Sequence, residues 1–216
     1  MRRNPYDTRY FEKYAMLSLR YAYNPCWDSF ACGAGVESPD LQSEALDIGV
    51  EVTRAITGQE GLAHRIVTDY FSRGLGEDAI EDQLRRRYPR FSGEVRILDE
   101  GAAVITSLDG LFQFKVHLSE LAEAIAVKTD KLGRIYRVFG LNCLYIFTFT
   151  ARMGPEDITL ALKHAGEMTR KAPLRYDRYF INCVDRLFVA EASGGIREIP
   201  LSDALLARVG EEALAP

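Results

Sequence analysis

Residues 38–55 read SPDLQSEALDIGVEVTRA, which puts one acid, Asp40, directly after a proline and a second, Glu51, eleven positions later. Ile48, Val50 and Val52 alternate with Gly49, Glu51 and Thr53. That is the period-2 spacing of a strand, so Glu51 and Thr53 share one face. Two carboxylates placed this way are either the polar side of an ordinary pair of strands or the two acids of a metal-dependent hydrolytic site. A carboxylate among β-branched residues is costly if it is buried without a partner. The simpler alternative has Glu51 facing water on a half-exposed sheet.

A matching cation exists further along the chain. Over 120–139, with Ser119 as the capping residue, Leu121, Ile125, Leu132, Ile135 and Phe139 recur at helical spacing, and Lys128 falls in the middle of that stripe. A lysine aimed at a core needs a partner, and Glu51 or Asp40 would serve. Alternatively, the ammonium reaches water past a short neighbour such as Ala124. Arg54 is a poor substitute, because it points to the opposite strand face from Glu51.

The elements that must position these groups are legible in outline. Asp7–Tyr23 has an N-cap residue and an apolar stripe through Tyr10, Tyr14, Leu17 and Tyr21, which predicts an amphipathic first helix. Helical spacing through Leu62, Ile66 and Tyr70, and then Ile80 and Leu84, predicts a helical hairpin inserted at about 58–93, broken at Gly74 and Gly76. EVRILDEGAAVITSLDGLFQFKV carries turn signals at Glu100-Gly101 and Asp109-Gly110, the pattern of an antiparallel meander. CLYIFTFT at 143–150 is apolar on both faces and reads as a central strand. Pro155 opens a helix to about Arg170, RYFINCV, RLFVAEA and IREIPL give a strand followed by a hairpin, and Ser202 caps a last helix. Strands alternating with helices predict an α/β fold, one domain over 1–216 with a mixed β-sheet flanked by helices.

Composition narrows the function classes. With 47% hydrophobic and 11% aromatic residues, the chain can bury a full core. No stretch approaches the roughly 20 apolar residues of a membrane span, so no membrane role is expected. The four cysteines, Cys26, Cys32, Cys143 and Cys183, form no CxxC pair and read as reduced thiols of a cytoplasmic protein. His64, His117 and His164 lack ligand spacing, and no Gly-rich phosphate loop occurs, so neither structural zinc nor nucleotide hydrolysis of that type is supported. The net charge of -4 confines any nucleic-acid contact to a local patch. Arg85, Arg86, Arg87 and Arg90 are the densest basic cluster, either one wall of a nucleic-acid groove or a solvated helix end.

Pro39-Asp40 followed by Glu51-Val52-Thr53 resembles the PD-(D/E)xK nuclease superfamily, whose signature is an Asp at the start of one strand and a (D/E)xK triplet on the next. The segment is also similar to nuclease-like groups in which a GxEVT strand, here Gly49 to Thr53, precedes a lysine-bearing helix and an apolar strand such as Leu144 to Phe147. The resemblance implies hydrolysis of nucleic-acid phosphodiesters, of DNA more than RNA. It implies Mg²⁺ or Mn²⁺ held by Asp40, Glu51 and the Val52 carbonyl, because this chemistry needs a hard cation on oxygen ligands. Thr53 departs from the pattern, since the family has its lysine there, and Lys128 on the following helix is the expected replacement in the catalytic set Asp40, Glu51 and Lys128. Glu12 on the first helix is a further candidate acid, although the helix dipole also favours an acid there. Two rival triplets, Glu94-Val95-Arg96 and Gln113-Phe114-Lys115, read more simply as the solvated face of the meander. The alternative from a different class is a catalytically inactive nuclease-fold interaction protein: an inhibitor or immunity factor acting on a protein partner, or a nucleic-acid binder.

Overall fold

In the computed structural model, which describes residues 8–32, 38–55, 66–67, 69–71, 73–87, 94–98, 102–106, 114–148, 153–183 and 185–215, the alternating segments assemble into a mixed sheet flanked by helices. Seven strands lie in the order β1 (Ala31–Cys32), β2 (Leu41–Ser43), β3 (Ile48–Arg54), β6 (Leu141–Thr148), β7 (Arg178–Cys183), β8 (Arg186–Glu191) and β9 (Ile196–Pro200). β4 (Glu94–Leu98) and β5 (Ala102–Thr106) pair with each other as a separate antiparallel ribbon. β3, β6 and β7 are parallel, and the remaining neighbours in the large sheet are antiparallel.

Parallel neighbours need crossover connections, and these carry helices α3 (Phe114–Lys131) and α4 (Pro155–Met168). Both pack on one face of the sheet. Leu121 and Ile125 of α3, and Ile158 and Ala161 of α4, meet Leu144 and Ile146 of β6 and Ile181 of β7 there. Helix α1 (Thr8–Ser18) covers the other face, where Phe11, Ala15, Trp27 and Phe30 bury against Val50, Tyr145, Phe147 and Phe180. Helix α5 (Asp203–Leu214), whose N-cap Ser202 accepts from the Leu205 N–H, packs on α1 through Val209 and Ala213. β6 is apolar on both sides because it is covered on both sides.

Helix α2 (Glu77–Arg87), β4 and residues 66–67 share a separate small core of Ile66, Val67, Ile80, Leu84 and Val95. Residues 66–67 and 69–71 are helical, as the expected hairpin requires, but much of the first hairpin helix and the whole of Tyr88–Gly93, with Arg90, lie outside the described residues.

Three expectations need correction. The meander has no third strand at Phe114–Val116, because α3 begins at Phe114, five residues before the expected cap Ser119. The same helix ends at Lys131 rather than Phe139: Gly133 takes a positive φ of 72° and a tight turn follows. The first helix is α-helical only to Ser18 and continues to Tyr23 as a π-turn. Among the described residues, no helix is long and apolar enough to cross a membrane.

Candidate active site

β2 pairs antiparallel with β3, with Leu41 opposite Val50 and Ser43 opposite Ile48. Extending that register by one residue sets Asp40 across from Glu51, both on the α3 side of the sheet. The chain bends at Asp40, so the ladder does not run on to a pair between Pro39 and Val52. Past that bend the Asp40 side chain takes the place of a ladder acceptor: the Val52 N–H donates to Asp40 Oδ2 at 2.7 Å. The N–H and C=O of a strand residue point the same way, so the Val52 carbonyl is directed to the same edge of β3 as the N–H that Asp40 accepts.

Gly49 lets this corner close. A Cβ there would lie 2.7 Å from the Phe139 ring and 2.9 Å from Pro39 Cγ, so the missing side chain is what allows Pro39 to sit on β3 beside Glu51.

Glu51 is only 4% exposed. Its Oε1 accepts a hydrogen bond from Lys128 Nζ, which reaches down from α3. Its Oε2 is buried and has no hydrogen-bond partner among the described residues. Lys128 also lies 3.4 Å from the Tyr136 hydroxyl, with its ammonium 5.5 Å from the centre of that ring. From below, the buried Tyr176 donates its hydroxyl to the Lys128 carbonyl at 3.4 Å, tying the approach to β7 to this turn of α3.

The electrostatics follow from burial and crowding. Burial raises the Glu51 carboxyl above its ordinary value, the Asp40 charge raises it further, and Lys128 and the nearby Tyr136 hydroxyl lower it without cancelling the rise. Asp40 is raised by the same burial, against the pull of the Val52 N–H and Lys128. Burial works to lower the Lys128 ammonium, but the charge and hydrogen bond of Glu51 outweigh it, so that group too is raised. One ammonium thus faces two crowded carboxylates, which leaves a local excess of negative charge.

Of the residues singled out in the sequence, the structure brings Asp40, Glu51, Val52 and Lys128 together. Thr53 is half-buried on the same strand face as Glu51. Arg54 lies on the other face, 4.7 Å over the Phe11 ring. Helix α1, which carries Glu12, packs on that other face as well. Glu94-Val95-Arg96 sits in the separate ribbon, where Arg96 bonds Glu94 at 2.9 Å, and of the second rival triplet Gln113 lies outside the described residues while Phe114 and Lys115 belong to α3. Arg85 is taken up by Glu81 at 2.6 Å, and Arg86 and Arg87 are exposed.

Sequence reasoning missed Tyr136, Tyr176 and Gly49. Tyr136 follows the end of α3, so helical spacing misplaces it. The signal for Gly49 was present, since a glycine inside a strand pattern marks a close approach.

Among the described residues, no three His, Cys, Asp or Glu side chains converge. The corner instead offers two carboxylates and a main-chain carbonyl, all hard oxygen donors. That set fits a cation such as Mg²⁺, which takes one or two carboxylates and keeps several waters, better than one that needs an all-protein cage. The chain matches no family model, no curated protein and no solved structure.

Proposed function

We propose that this chain is a divergent divalent-metal-dependent nuclease of the PD-(D/E)xK type, hydrolysing nucleic-acid phosphodiesters with Asp40, Glu51 and Lys128. The observation that carries this reading is Glu51. A carboxylate with a buried oxygen that has no partner among the described residues, crowded by a second carboxylate and sharing one lysine with it, is poor design for a purely structural ion pair. The cost is accounted for if Oε2 serves a ligand that arrives from outside.

The free oxygen of Glu51, the Asp40 carboxylate and the Val52 carbonyl would hold Mg²⁺ or Mn²⁺. When bound, the cation supplies a water nucleophile at neutral pH and neutralises charge on the phosphoryl oxygens. Lys128 holds Glu51 through Oε1, leaving Oε2 directed away from the ion pair. Its side chain is 19% exposed, so Lys128 is not sealed off from the mouth of the site, where its charge would act on a phosphate. This is the work done in the family by a lysine at the Thr53 position. Here it comes from α3, and Thr53 needs only to be small. Tyr136 flanks the ammonium and limits its swing toward water.

The test is cleavage of linear duplex DNA and of single-stranded RNA by the purified protein in Mg²⁺, Mn²⁺ or EDTA, with Mn²⁺ binding followed by calorimetry. Metal-dependent cutting and metal binding are expected of the wild type, and neither of Glu51→Gln. A wild type that cuts neither substrate and binds no metal overturns the proposal in favour of a nuclease-fold interaction protein.

A further inference from the structure

Two basic regions compete for the polyanion that a nuclease must hold, and their surroundings differ. Helix α2 carries Arg85, Arg86 and Arg87 but also Glu77, Asp78, Glu81 and Asp82, so the helix is acidic on balance. Part of that charge is already paired, Arg85 with Glu81 at 2.6 Å. The segment from the second half of α4 to the start of β7 is the reverse. Between residues 163 and 175 it carries Lys163, Arg170, Lys171 and Arg175 against a single acid, Glu167. All four cations are exposed, and no ion pair among the described residues engages any of them. Lys163, Arg170 and Arg175 line one open cleft of about 630 Å³, into which Glu167 also projects.

The cleft is built rather than incidental. Arg175 donates to the Gly166 carbonyl at 3.3 Å, fastening the loop to α4. Leu174 packs on the turn after α3 so closely that a Cβ at Gly133 would come within 2.5 Å of its Cδ1. The adjoining Tyr176 bonds the Lys128 carbonyl. The basic loop is therefore fixed to the same turn of α3 that delivers Lys128 to Glu51. Four cations without an ion pair among the described residues, in a chain of net charge -4, make a local positive field that attracts a polyanion such as a phosphodiester backbone.

We propose that the α4–β7 surface of Lys163, Arg170, Lys171 and Arg175, and not the arginines of α2, binds the phosphodiester backbone of the nucleic acid whose cleavage is assigned above to Asp40, Glu51 and Lys128. The inference rests on that reading for its substrate class. Contacts of this kind read charge and spacing, not bases, so binding here is independent of sequence and strongly salt-dependent.

The experiment compares two triple variants by fluorescence anisotropy with labelled duplex DNA and single-stranded RNA, in EDTA so that binding is measured apart from cleavage. One is Lys163→Glu/Arg170→Glu/Lys171→Glu, which spares Arg175 and its hydrogen bond. The other is Arg85→Glu/Arg86→Glu/Arg87→Glu. The first is expected to lose affinity roughly 10-fold or more and to flatten the slope of log K against log salt on DNA by about 2–3, and the second to change affinity by less than about 3-fold. Wild-type protein that binds neither nucleic acid, an unaffected first variant, or a larger loss in the second overturns the proposal. Binding that depends on this surface in a protein that cuts nothing with Mg²⁺ or Mn²⁺ upholds the surface and removes the nuclease. The DNA and RNA arms show which backbone it prefers.

Discussion

Two polar constellations are buried on opposite faces of the same sheet. On the α1 face, the Tyr145 hydroxyl lies 2.7 Å from Ser18 Oγ and accepts from Asn182 Nδ2 at 2.8 Å, while Ser18 Oγ also donates to the Ala15 carbonyl at 2.9 Å. Every member is neutral and bonded, amid aromatic packing such as Tyr145 on Phe147 with ring centres 5.0 Å apart. Burial pushes the Tyr145 hydroxyl far up, which keeps it protonated. On the α3 face, Glu51 and Lys128 are charged, Asp40 adds a second negative charge, and Glu51 Oε2 has no partner among the described residues. A satisfied network stabilises and orients, and its value is spent inside the fold. An unsatisfied one costs stability and keeps an unused valence for something else, as functional sites do.

The sharpest way to break this contrast is catalytic. Lys128→Met, which keeps the stem and deletes the charge, is expected to lower metal-dependent cleavage by about 10²–10³-fold, the size of effect seen when one preorganised stabiliser of transition-state charge is removed. Asp40→Asn and Glu51→Gln should fall at least as far, each deleting a ligand charge. Tyr145→Phe should cut at the wild-type rate per folded molecule. Equal losses in all four variants, measured as initial rates on one substrate, would mean that the two networks do not divide structure from function.

Stability should move in the opposite sense. Tyr145→Phe strands Asn182 and Ser18 in the core and is expected to cost about 1–3 kcal/mol, with a fall in melting temperature of roughly 2–4 °C per kcal/mol in a chain of this size. Replacing the whole ion pair by apolar groups, Glu51→Leu with Lys128→Met, should be neutral or stabilising by about 1–4 kcal/mol, because it removes two desolvated charges together. Denaturant melts of the two variants side by side check the sign.

Gly49→Ala probes the corner itself. The added methyl must displace Phe139 or Pro39, at a cost of about 1–3 kcal/mol, and because Pro39 carries Asp40 with it, cleavage should fall more than the loss of folded protein explains. Activity that tracks the folded fraction alone would show that Asp40 tolerates the shift.

The smallest effect is the dependence of stability on pH in metal-free buffer. A carboxyl whose folded-state pKa is raised costs stability above that pKa, and the cost vanishes below its unfolded value. Asp40→Asn should therefore be more stable than wild type at neutral pH, and the advantage should disappear as the pH falls through the acid range where aspartate is protonated. Lys128, also raised, contributes stability that persists below the ordinary lysine pKa and is lost as alkaline pH passes its folded value. A variant whose advantage grows on acidification would mean that burial does not dominate at Asp40.

Much of the scaffold was written locally. The alternation at Ile48–Thr53, the two-faced apolarity of β6, Pro155 opening α4 and Ser202 capping α5 are short-range signals, and short-range sterics and hydrogen bonding enforce them in any context that lets the segment pack. Where such signals conflicted, packing decided: Phe114–Val116 alternates like a strand yet joins α3, and the stripe through Ile135 and Phe139 outruns the helix because Gly133 ends it.

The sequence by itself determined which residues had the right chemistry. Asp40 follows a proline, Glu51 stands on a strand that cannot cheaply bury it, and Lys128 interrupts an apolar stripe. Each is a local misfit, and a misfit is visible wherever the surrounding pattern is regular. Only the tertiary structure brings the three misfits together. The β2–β3 register sets Asp40 beside Glu51, and the parallel crossover lays α3 over β3, so that a lysine 77 residues away meets a buried carboxylate whose second oxygen has no partner among the described residues. Register and crossover arise from the burial of whole faces rather than from any residue's own preference, and for that reason a one-dimensional pattern could nominate the partners without joining them.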